Sequence, residues 1–178
     1  ELRALAARPT PEVKHVRLLG VVAAAASPVE PAYWPLALES FDRALALAPD
    51  DATLYADLAV AHAARGDFEA ALAIQRRAIQ LAPARVWLQA ELVRLAMRAG
   101  TAGDVERDLF RRILRTMPVV DDSVAADYLV KGDLEMGAMV IEEMLRRDPE
   151  DEELRQQFAA VTRELAAQRG RQARPDSR

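Results

Sequence analysis

Five prolines, Pro9, Pro49, Pro83, Pro118 and Pro149, each follow an apolar pair at a fixed offset. The pairs are Ala4-Leu5, Ala44-Leu45, Ala78-Ile79, Ile113-Leu114 and Met144-Leu145, and the prolines lie 40, 34, 35 and 31 residues apart. Proline stops a helix because it lacks an amide hydrogen and its ring strikes the preceding turn. An apolar pair one turn before such a stop reads as the buried end of a helix. Units of this length bury their apolar faces only by stacking on their neighbours. The spacing therefore predicts an all-α chain of antiparallel helix pairs. Abundant alanine and only 5% aromatic residues agree, since both suit close helix packing and disfavour a β fold.

The clearest unit is residues 51–83. Asp51 is placed to cap its first helix by accepting free amides of the first turn. Leu54, Leu58, Ala61 and His62 fall on one helical face. Gly66 stands where a left-handed residue ends the helix, and Asp67 can cap the second one. Phe68, Ala71, Leu72, Ala78, Ile79 and Leu81 give that second helix a buried stripe.

With Tyr55, Leu58, Ala59, His62, Ala71, Gln75 and Pro83 at the corresponding positions, the unit resembles a tetratricopeptide repeat. Ala59 stands at the family's small glycine position, and His62 and Gln75 stand where the family has aromatics. The resemblance implies a right-handed superhelical solenoid of helix hairpins. Its first helices would line a concave groove that binds a protein or peptide.

In chain order, residues 1–9 read as the end of a second helix, so the natural chain is expected to extend upstream. Residues 11–49 form the first full repeat, with Leu19-Gly20 at the family's Leu-Gly position. Its proline-rich connector contains Tyr33 and Trp34, and Pro35 opens the second helix. Repeats follow at 51–83, 84–118 and 119–149, the last with a shortened first helix. Residues 150–169 read as a capping helix with Leu154, Phe158, Val161 and Leu165 on one face. Residues 170–178 are polar and are expected to be disordered.

Composition narrows the functional classes. With 24 Lys and Arg against 28 Asp and Glu, the net charge is −4, which argues against nucleic acid as a partner. No cysteine is present, so disulfides and thiolate metal sites are excluded and the redox compartment stays open, cytoplasmic or periplasmic. No apolar run approaches the ~20 residues of a spanning helix, so this segment is not expected to insert in a membrane. No phosphate loop, nucleophile elbow or metal-spaced cluster occurs. The chain therefore reads as a non-enzyme without cofactor or metal.

Other polar residues have structural readings. His62 reads as a packed histidine, and the acidic run from Asp148 to Glu153 as charges favoured at a helix start. The arginines 107, 111, 112 and 115 read as partners of nearby acids one turn away.

Carried over from the resemblance, the groove would present Lys14, Arg17 and Val21, then Thr53, Ala56, Asp57 and Val60, then Trp87, Ala90, Glu91, Arg94 and Met97. Trp87 and Arg94 are of the types that anchor interfaces. Family members that clamp a terminal carboxylate use lysine and asparagine, and this chain has no asparagine. The leading expectation is a scaffold or adaptor in the assembly of a larger complex, such as one of the bacterial envelope. A regulatory domain of a larger membrane-bound enzyme, such as an envelope glycan transferase, is the alternative. Self-association through an exposed repeat face is a third.

Overall fold

The computed structural model describes residues 11–172; the partial repeat read at residues 1–9 and residues 173–178 of the tail lie outside the described residues. Among the described residues there are nine helices and no strand. In order they are α1 (Pro11–Ala26), α2 (Tyr33–Leu47), α3 (Ala52–Ala64), α4 (Phe68–Leu81), α5 (Val86–Arg98), α6 (Asp104–Thr116), α7 (Asp122–Val130), α8 (Leu134–Arg147) and α9 (Glu152–Gln172). The protein is all-α. The chain divides into two compact units, one ending at Ala99 and the other beginning at Gly100. That boundary falls inside the repeat read at residues 84–118, so its two helices, α5 and α6, belong to different units.

The first unit repeats one packing step. Val13, Val16, Ala44 and Leu54 share one cluster, and Ala23, Ala24, Ala37, Phe41 and Ala61 share another, so α3 closes onto both α1 and α2. Ala52, Ala56, Ala78 and Leu88 form a third cluster, and Ala59, Ala63, Ala71 and Leu95 a fourth, so α5 closes onto α3 and α4. Small residues set the closeness of each pair. Phe41 is fully buried, and a Cβ placed on Gly20 would stand 3.2 Å from its ring. Ala59, 39 residues on from Gly20, is likewise fully buried.

The hairpin turn between α3 and α4 follows from its own residues. Asp51 accepts the Thr53 amide at 2.9 Å, Gly66 takes φ 82°, and Asp67 accepts the Ala70 amide at 3.3 Å. Asp67 Oδ2 also lies 3.0 Å from His62 Nδ1, and these two bonds hold the Asp67 carboxyl below its ordinary range, the histidine contributing most. The His62 ring meets Trp34 edge-on at 5.1 Å, and the Arg65 guanidinium lies over the Trp34 ring at 4.8 Å. His62 is thus a packed residue rather than an open base.

Trp34 departs from the sequence reading. Neither Tyr33 nor Trp34 lies in a connector, because α2 begins at Tyr33. Pro35 is its third residue, a position where the missing amide costs nothing because no helical carbonyl precedes it. The earlier start turns Trp34 into the cluster that also holds Leu58.

Gln75 occupies the centre of α4 and is fully buried. Its Nε2 donates to the Leu88 carbonyl at 2.8 Å, across to the first turn of α5, while its buried Oε1 meets no protein donor among the described residues.

In the second unit, α8 is the hub and packs against α6, α7 and α9. Met136 through Ile141 are all buried, the pattern of a helix covered on every side. Helix α7 has nine residues, short as the sequence spacing predicts, and its Leu129 lies over Gly137. The capping helix runs on through Gly170 to Gln172, past the end at 169 read from the sequence, and Leu154 is its buried anchor.

Charged groups fasten this unit. Arg147 donates to the Leu114 and Met117 carbonyls at 3.0 and 3.1 Å, satisfying the open end of α6 from the end of α8. Buried Glu143 accepts from Arg146 at 2.6 and 2.9 Å and from Arg147 at 3.1 Å. These bonds, Arg146 foremost, hold the Glu143 carboxyl down at about 2, from an ordinary 4.5. A depressed folded-state value means a contribution fully present above the unfolded value and lost as pH falls through the folded one. Urea melts between about pH 5 and pH 2 should therefore show wild type losing more stability than Glu143→Gln over that window. Parallel pH slopes for the two proteins would refute the assignment.

The arginines of α6 are not all paired within their own helix. Arg111 does pair with Asp108 at 3.2 Å, but Arg107 reaches across to Glu135 at 2.6 Å and to the Ala102 carbonyl at 2.9 Å. Contact with Glu135 keeps the Arg107 guanidinium above its ordinary value.

Candidate functional site

All twelve groove positions read from the sequence lie on α1, α3 and α5 of the first unit. The helices are related by offsets of 39 and 34 residues, which align Lys14 with Thr53 and Trp87, and Val21 with Val60 and Arg94. The packing step described above turns Leu54, Leu88 and Leu95 into the core. Of the residues one position before them, Trp87 is exposed and Thr53 half-buried.

Four of the twelve come together around one open depression. Lys14, Arg17, Val21 and Asp57 line it, together with Leu18. Arg17 Nε donates to Asp57 Oδ2, which joins α1 to α3 across this face. That bond raises the Arg17 pKa further and outweighs the opposing effect of partial burial. Lys14 is exposed, and among the described residues it makes no hydrogen bond or ion pair. It is the cation this depression offers to a guest, whereas Arg17 is already engaged.

The other positions are distributed along α3 and α5. Thr53 Oγ1 accepts from Arg85 Nη1 at 3.1 Å. Val60 is 42% exposed and Trp87 is 47% exposed. Glu91 and Arg94 form a two-pronged pair one turn apart on α5, with Nε donating to Oε2 at 2.8 Å, and both side chains are largely covered. Arg94 is therefore not the open anchor that the sequence reading suggested. Met97 and Ala90 are half-buried, and Ala56 is sealed in the cluster with Ala78 and Leu88, so Ala56 offers nothing to a guest.

Sequence reasoning missed Leu18, which is 60% exposed on the rim of the depression. A usable signal existed, because Leu18 lies 39 residues before Asp57 and one turn from both Lys14 and Val21. Leu19 and Val22, 47% and 57% exposed, extend the apolar surface along α1.

Among the described residues no group of three or more His, Asp or Glu is placed to hold a metal, and no helix is long and apolar enough to cross a membrane. Compared with protein-family models and with curated proteins, the chain matches none of them.

Proposed function

We propose that the protein is a non-enzymatic interaction module, a tetratricopeptide-like solenoid whose α1–α3–α5 face holds a peptide or helix of a protein partner. One observation carries the reading. Leu18, Val21, Val60 and Trp87 are exposed on successive first helices, Val21 and Val60 at equivalent positions, and Leu18 and Val21 share a depression with the open cation of Lys14. Exposed apolar surface of this kind, rimmed by polar groups, is what marks interaction sites on folded proteins. The engaged state of Arg17 and Arg94 shifts the recognition chemistry toward apolar contact, with Lys14 left to orient a carboxylate of the guest.

The test starts from a peptide-library selection on the whole chain. The selected peptide is then titrated against Trp87→Ala and against Leu18→Glu with Val21→Glu. A loss of about 2 kcal/mol or more, roughly thirtyfold in affinity, is expected for each. If variants that melt like wild type also bind like wild type, this face is not the site.

A further inference from the structure

The outer face of α6 carries two arginines with no partner. Arg112 and Arg115 are exposed, and among the described residues neither makes a hydrogen bond or an ion pair. Their neighbours are engaged: Arg111 with Asp108 at 3.2 Å and Glu142 at 3.8 Å, and Arg146 with Glu143. Arg111 and Arg115 line two depressions at once, one along α6 with Val105 and Arg112, the other between α6 and α8 floored by Leu114 and Met139. A cationic strip thus stands out on a chain whose net charge is −4.

Beside it lies the opposite charge. Arg147 bonds the last carbonyls of α6, so the C-terminal ends of α6 and α8 are held side by side. The acidic turn begins at the next residue, Asp148, and continues through Glu150 to Glu153. Within it Asp151 caps α9 through the Leu154 amide, and Arg155 takes Glu150 and Glu152. Asp148 has no ion pair or hydrogen bond through its side chain among the described residues, and Glu150 is 91% exposed despite its contact with Arg155.

We propose that this paired surface is a dimer interface between two copies of the chain. A basic strip next to an acidic one is self-complementary under a two-fold axis: the rotation sets each strip against its opposite in the partner. Arg112 and Arg115 of one copy then meet Asp148 and Glu150 of the other, and the same pairs form twice. A nucleic-acid ligand fits this surface less well, because the acidic turn from Asp148 to Glu153 repels phosphate.

The association is electrostatic, so salt must weaken it; the screening length falls from about 30 Å at 0.01 M salt to about 3 Å at 1 M. Sedimentation of the whole chain should show dimer at low salt and monomer near 1 M. Arg112→Glu with Arg115→Glu should raise the dissociation constant at least tenfold, and so should Asp148→Lys with Glu150→Lys. All four changes in one chain should restore the dimer, since the complementarity is inverted but intact. Melting of each variant is followed alongside, and Arg112→Gln with Arg115→Gln replaces any reversal that fails to fold. A monomer at low salt, a dimer indifferent to salt or to either pair of reversals, or a quadruple variant that stays monomeric would overturn the proposal.

Discussion

Phe41→Ala should unfold the first unit at markedly lower denaturant, with a loss of about 3–5 kcal/mol. Phe41 is fully buried and shares its cluster with Ala23, Ala24, Ala37 and Ala61. Four of those five are alanines, which have no longer side chain to swing into the gap, so only the partly buried Trp34 and Leu58 can relax toward it. Gly20 lies against the same ring and offers no atoms either. Chemical denaturation followed by circular dichroism measures the loss. A change below about 1 kcal/mol would mean that α1 and α2 can collapse onto one another, contrary to the packing described.

The second unit has its own sharp dependence at Gly137. A Cβ there would stand 2.4 Å from Leu129 Cδ2 and 2.8 Å from Leu129 Cγ, distances at which something must move. Gly137→Val adds two further carbons within the buried stretch from Met136 to Ile141, so the Leu129 side chain has to leave its place. Overpacking of this kind costs about 1–3 kcal/mol, and the top of that range is expected here. Leu129→Ala combined with Gly137→Val should return part of the loss, because the shortened side chain makes room. Strictly additive losses in the double variant would show that Leu129 is not the obstacle.

Much of the helix plan was legible because it is written locally. The Asp51 and Asp67 caps, the positive φ of Gly66 and the short α7 all follow from residues a few places apart. What was not legible depends on partners distant in sequence. Asp57, forty residues away, claims Arg17, and Glu135, twenty-eight away, claims Arg107; no spacing rule reports such choices. The same holds for Trp34, whose position is fixed by His62 and Arg65 on α3 and in the turn after it. For the candidate face the sequence named Arg94 as an anchor type without seeing that Glu91 would hold it, and it did not name Leu18 on the rim of the depression.

The buried amide of Gln75 bears on register. An apolar side chain at its position would be satisfied by many alignments of α4 against α5, since hydrophobic contact is not directional. Gln75 Nε2 has one acceptor within reach, the Leu88 carbonyl. Turning α5 about its axis by part of a turn would carry that carbonyl away and leave the donor stranded in apolar surroundings, at a cost of about 1–3 kcal/mol. One side chain therefore acts as an alignment key between two otherwise greasy helices. It fixes which side of α5 faces α4, a choice that apolar contact alone would leave loose.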